Sequence, residues 1–423
     1  MSLEAAGRSK EEVYMQLGWV DFSKADREKV LDVMNLLQEQ GAVDEIGIGL
    51  IRDAFANYFF PGTSTVQTRA KYFFIVPYIL QEAVSGKYGN QVNAILQKID
   101  TEEKNCGLLL YQESVDEGIS PIGVGIIGAR VLPQNWVARK PSNIYWNGIR
   151  TYHIFEQENM TIPDMVRLSV LMRSQAKPDK LGNRREDAEE GEKDDSDAGR
   201  NESIHFFDLP EMEDADWRSH LDIALTKIEA SFLRTKIERS VSDTLLAYIL
   251  RHNIDLSKYD RFEQLYADLK DDVPIEMARI MKLACDFNRL VYAARVRYNM
   301  ILSKCQNTDA NSEWEQIAHN IDYYTGVDLE SVLAFLGRPD FRLRRFLLNL
   351  QDALRSNDLD KVDEIIVSRE IELKTRARAK LCHAEDYNPD NWIGGRYLDY
   401  RFGDAKQIVV DIYEGEGGAH VSD

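Results

Sequence analysis

The chain has 423 residues, 44% of them apolar, and a formal net charge of −19. That length exceeds one ordinary core and predicts two domains, each with enough apolar residues to bury its own. The acidity argues against indiscriminate binding to nucleic acid or anionic membrane. No apolar run approaches the roughly 20 residues of a membrane span, so no membrane partner is expected.

In chain order, Lys24 to Gln40 reads as a helix with Val30, Met34 and Leu37 inward. A second helix is expected from Asp44 through Ile48, Ile51 and Phe55, ended by Pro61-Gly62. Thr63 or Ser64 then caps a third, whose apolar face is Val66, Ala70, Phe73, Pro77, Leu80 and Val84, with Pro77 kinking or ending it. Between Ile119 and Leu132, glycines at 123, 125 and 128 argue against a helix and allow short strands. Lys177 to Asn201 holds one large apolar residue, Leu181, and cannot offset its ordering entropy by burial. It reads as a disordered acidic linker. Residues 177–214 carry a net charge of −8, against −4 for 1–176 and −7 for 215–423.

Beyond the linker the pattern is helical. Leu221, Leu225, Ile228 and Phe232 form one face. Ile280, Ala284, Phe287, Val291, Ala294, Tyr298 and Ile301 form a longer one behind Pro274, which suits a first turn. Asp340 can cap a helix burying Leu343, Phe346 or Leu347, Leu350 and Leu354. A last one runs from about Asp360 to Leu381 with Val362, Ile366, Leu373 and Ala377 on one side. The fold class expected is mainly α. It comprises an N-terminal helix-turn-helix-like domain (1–176) with short strands allowed, the linker (177–201) and a C-terminal helical bundle (202–423).

The motifs in the chain exclude more chemistry than they offer. Gly123 to Gly128 matches G-x-G-x-x-G, but Pro121 precedes it and no acid follows to hold a ribose, so it reads as a packing turn. No P-loop, G-x-S-x-G or H-E-x-x-H occurs. Cys106, Cys285, Cys305 and Cys382 form no C-x-x-C pair, and only Cys382-His383 brings two potential ligands together, so neither a disulfide framework nor a zinc site is expected. Met1 to Lys10, polar with both signs of charge, resembles neither a signal nor a transit peptide. A cytoplasmic protein without metal or cofactor is the expectation. Pro339-Asp340 with Glu372-Leu373-Lys374 has the PD…ExK form of metal-dependent nucleases. That chemistry needs Glu372 and Lys374 on one face of a strand, and the local pattern is helical.

Two acid-free windows point to nucleic acid. From Gly118 to Phe155 there is no Asp or Glu, but there are Arg130, Arg139, Lys140 and Arg150. Here Ser142 can cap a helix with Tyr145 or Trp146 and Ile149 inward and Asn143, Asn147 and Arg150 outward, similar to a winged helix-turn-helix recognition helix. The second window, Ala54 to Gln81, places Gln67, Arg69 and Lys71 near a helix start. A buried helix corner, with Arg69 in an internal ion pair, explains the second window equally. Lys374, Arg376, Arg378 and Lys380, followed by Gly394-Gly395-Arg396-Tyr397-Leu398-Asp399-Tyr400-Arg401, could bind phosphates or pair with acids of their own domain.

The strings FPGTSTVQTRAKYF (60–73), KPSNIYWNGIRTYHI (140–154) and WIGGRYLDYRF…VVDIYEG near the C-terminus together resemble a bacterial family of unassigned function. The likeness spans Leu17 to Gly415 apart from the linker. It implies an accessory protein encoded beside helicases in phage-defence islands, and no reaction, cofactor or catalytic residue. The combined expectation is a non-enzymatic subunit contacting DNA, a helicase or another defence-system subunit through Gln67, Arg69, Lys71, Arg139, Lys140, Asn147 and Arg150. The alternatives are a nuclease using Asp340, Glu372 and Lys374, and a protein-interaction scaffold without nucleic-acid contact.

Overall fold

A computed structural model describes residues 44–157, 159–175, 205–211, 216–337 and 340–417. The expected helix at Lys24–Gln40, the linker at 177–201 and Pro339 lie outside these residues. The first described helix, α1, runs Gly49–Phe59. It starts later than Asp44 because the Asp44 carboxylate accepts from the Gly47 and Gly49 N–H groups at 2.9 and 2.5 Å, stabilising a turn there.

Helix α2 (Tyr72–Ser85) also starts later than its pattern suggests, and residues 60–71 make the corner from a run of turns and loop. Gln67 holds those turns: its Oε1 accepts from Ser64 N–H at 3.1 Å and its Nε2 donates to Gly62 O at 3.1 Å. Pro77 sits inside α2 without ending it, and nearly every residue from Tyr72 to Leu80 is buried. A helix apolar on all sides belongs at the centre of a fold. Helix α3 (Val92–Asp116) is amphipathic, burying Ile95, Ile99, Glu103, Cys106 and Leu110.

Residues 119–132 are turns, not strands. Their glycines do pack: a Cβ at Gly128 would lie 2.8 Å from the Trp136 ring. Helices α4 (Pro141–Thr151) and α5 (Ile162–Gln175) complete this region. The only strand-like pairing among the described residues is the single bridge Phe155–Phe207.

Helix α6 runs Lys227–Ser240, later than the Leu221 to Phe232 pattern, because Thr226 and Glu229 form a reciprocal capping box. Ile228 is consequently 47% exposed instead of inward. Helices α7 (Leu245–Arg251) and α8 (Phe262–Leu269) lead to α9 (Ile275–Leu302), whose expected face is buried from Ile280 to Tyr298, with Ile301 half-buried. Helices α10 (Thr308–His319), α11 (Ile321–Thr325), α12 (Leu329–Phe335), α13 (Phe341–Arg355) and α14 (Leu359–Lys374) follow. The last ends before Leu381, since the buried Glu370 carboxylate accepts the Leu381 N–H at 3.0 Å and draws the chain back. Helix α15 (Phe402–Gly415) closes the structure.

The fold is mainly helical, but the division into domains 1–176 and 202–423 has no counterpart in the packing. From Asp44 onward the described residues form one compact unit. Phe55 stacks on Phe335 at 4.8 Å, Phe59 meets Phe262 at 4.8 Å, and Tyr400 sits 5.4 Å from Phe55. Among the described residues, apolar surface from both sides of 177–201 shares one core, and separating the two would expose it to water. A chain cut at a protease site engineered between 177 and 201 is therefore expected to run as one particle in size-exclusion chromatography. Separation into two folded fragments would restore the two-domain division.

Candidate nucleic-acid interface

The three segments singled out in the sequence meet in the folded chain. The Tyr145 hydroxyl of α4 accepts from the backbone N–H groups of Thr68 and Arg69 at 2.8 and 3.1 Å and donates to Arg69 O at 2.8 Å. Tyr152 donates to Pro61 O at 3.0 Å. Arg401 reaches Asn57 Oδ1 at 2.7 Å and Thr63 O at 2.9 Å. A Cβ at Gly148 would lie 2.5 Å from Gly62 O, so glycine is what lets α4 approach the turn.

Three predicted contact residues belong to this junction and not to a surface. Gln67 is buried and bonds within its own turn. Arg69 Nε donates to both oxygens of Asp411 at 2.9 and 3.0 Å, and its Nη1 to Val124 O at 3.1 Å. Lys71 is buried against Glu229 at 2.7 Å, with both side chains 7% exposed. The acid-free window at 54–81 is thus a packed corner whose counter-charges come from α6 and α15. Burial pushes the Asp411 carboxyl above its ordinary range despite the facing Arg69.

The second window behaves differently. Helix α4 buries Ile144, Tyr145 and Ile149 and leaves Asn143 and Asn147 exposed, with Arg150 half-buried beside them. Arg139 is half-buried just before the helix. Ser142 does not cap α4; Lys140 is at the cap position and Pro141 starts the helix. The capping acceptor comes from α3, where buried Glu103 takes the Ser142 N–H at 2.5 Å and its hydroxyl at 3.2 Å. Burial raises the Glu103 carboxyl to about 7. One turn earlier, Asp100 pairs with Lys140 and accepts from Trp136 Nε1 at 3.2 Å. Two acids of α3 thereby fix the start of α4 and compensate Lys140.

The nuclease constellation does not assemble. Asp340 stands at the N-cap position of α13 without a side-chain capping bond. Glu372 lies on α14 with Arg369 at 2.8 Å, Arg345 at 3.4 Å and Arg342 at 3.7 Å, so arginines occupy its carboxylate. Lys374 turns to Glu45 and to Glu370, the latter at 3.0 Å. With both on a helix and committed to different partners, they cannot share a metal-bound water. Lys380 likewise pairs with Glu45 at 2.7 Å, whereas Arg376 and Arg378 are exposed. Among the described residues no three His, Cys, Asp or Glu side chains gather as metal ligands. No described helix is long and apolar enough to cross a membrane.

Sequence reasoning missed Asp411, Glu229 and Glu103, the acids that hold these windows, and placed Tyr145 inward without its bonds to Thr68 and Arg69. The signal was indirect: cations without acids nearby in sequence require acids from elsewhere if they are buried. Residues 14–159 match the model of a family of unknown function (DUF6361), which includes the 60–73 and 140–154 segments. No curated protein and no solved structure matches the chain.

Proposed function

We propose that the protein is a non-enzymatic accessory subunit that contacts DNA through the outer face of α4, beside a DNA-processing partner such as a helicase. The observation that carries this reading is the row of exposed Asn143 and Asn147 with half-buried Arg150 at helical spacing, preceded by half-buried Arg139, on a helix held at its start by Glu103. Amides and guanidinium groups on one rigid helix match the donor and acceptor pattern of the major groove. The helix-turn-helix comparison reduces to this face, and the antiviral setting rests on the family-like segments alone. Since Asp100 already compensates Lys140, phosphate contact falls to Arg139 and Arg150.

The test is the salt dependence of binding to duplex DNA. Each of Arg139→Gln and Arg150→Gln is expected to reduce the log–log slope by about 0.9, while changing stability by no more than about 0.5 kcal/mol. Because phosphate contacts release counterions, low salt is the condition in which binding should be seen. Slopes unchanged in both variants, or no binding at low salt, would leave α4 as a packing element and the protein as a scaffold.

A further inference from the structure

A cleft of about 430 Å³ opens between the turn after α4, the segment at 205–211 and the outer side of α6. It lies outside the α4 row and is lined by His153, Asp208, Phe232, Thr235, Lys236 and Arg239, among others. Lys236 Nζ donates to His153 O at 2.7 Å and pairs with Asp208 at 2.5 Å. An ammonium has three N–H bonds, so one more is available to a ligand. Arg239, three residues further along α6, is exposed, as is His153. Phe232, one turn before Lys236, presents its ring to the same ammonium at 5.5 Å. Two cations and an imidazole therefore border one volume whose wall is an aromatic ring, and whose single carboxylate, Asp208, is 49% exposed. The volume lies within the range of small-ligand sites.

We propose that this cleft binds a phosphate-bearing ligand of nucleotide size, with the phosphate on Lys236 and Arg239 and the base against Phe232. Asp208 is the internal anion that the phosphate displaces from Lys236. Guanidinium and ammonium donors suit phosphate oxygens, and bases stack on aromatic rings irrespective of sequence. The same chemistry is offered by a free nucleotide and by the phosphorylated end of a strand. This site does not depend on the α4 reading.

The experiment titrates the full chain calorimetrically with AMP, with inorganic phosphate, and with a short single-stranded oligonucleotide bearing or lacking a 5′-phosphate. AMP or the 5′-phosphorylated strand is expected to bind, more tightly than inorganic phosphate. Arg239→Gln should weaken that binding about tenfold or more, and Asp208→Asn should strengthen it. Opposite effects of two surface substitutions cannot arise from a folding defect. Binding of AMP assigns the site to free nucleotide; binding only of the 5′-phosphorylated strand assigns it to a strand end. The inference is overturned if no probe binds, or if binding ignores both substitutions. Duplex binding that persists in Arg239→Gln while no nucleotide binds would sink the cleft and leave the α4 proposal standing.

Discussion

Lys71→Ala is expected to lose about 3–5 kcal/mol of stability, whereas Arg150→Ala should stay within about half a kcal/mol. Lys71 and Glu229 are each 7% exposed and 2.7 Å apart, so removing the ammonium leaves a carboxylate inside the core. Glu229 keeps the Thr226 N–H at 2.9 Å and the neighbouring Tyr78 hydroxyl, neither of which replaces a counter-charge. The double variant Lys71→Met/Glu229→Gln should recover most of the loss, because it removes both charges while keeping similar volume. Arg69→Ala should behave like Lys71→Ala, exposing Asp411 to the same deficit in a carboxylate that also takes the Ala70 N–H at 2.6 Å. Urea midpoints at constant slope measure this directly. A loss below about 1 kcal/mol for Lys71→Ala would mean that water reaches the pair, and would reopen this segment as a surface.

The second large effect is a pH dependence centred on Glu103. Burial lifts its carboxyl from the ordinary 4.5 to about 7, so the native state binds this proton more tightly than the unfolded chain does. The sign follows from linkage: the contribution is complete below about pH 4.5, fades as pH rises, and is gone above about pH 7. Its size is about 3 kcal/mol. Glu103→Gln keeps the shape and cannot titrate, so other groups cancel in the comparison. Wild type minus Glu103→Gln stability should therefore fall by about 3 kcal/mol between pH 4.5 and 7.5. Parallel curves would show that the Ser142 bonds, at 2.5 and 3.2 Å, hold the carboxylate ionised throughout.

Glu103 also bears on the α4 face, since its carboxylate accepts the Ser142 N–H and hydroxyl at the start of that helix. A protonated carboxyl loses acceptor capacity.

Much of the secondary structure was legible because helical periodicity is local. The face from Ile280 to Ile301 and the face from Leu343 to Leu354 need only 3.6-residue spacing to be read, and both are where the pattern puts them. Helix ends were less legible. Asp44, Thr226 with Glu229, and Glu370 each move a boundary through a side-chain bond to backbone, a competition that apolar spacing does not register.

By itself the sequence determined a mainly helical chain, Tyr145 and Ile149 as candidates for the inward face of α4, and the failure of the glycine-rich motif to supply its chemistry. Those follow from periodicity and from the residues that chemistry requires. The PD…ExK reading stayed open until Glu372 and Lys374 were found on a helix with different partners. Only the tertiary structure decided that the two acid-free windows differ. Arg69 and Lys71 find their acids at Asp411 and Glu229, more than 150 positions away, while the α4 row faces outward. A missing neighbour in sequence can mean either a partner across the fold or a ligand outside it. Burial alone separates the two, because a charge inside the core must be paired and a charge at the surface need not be.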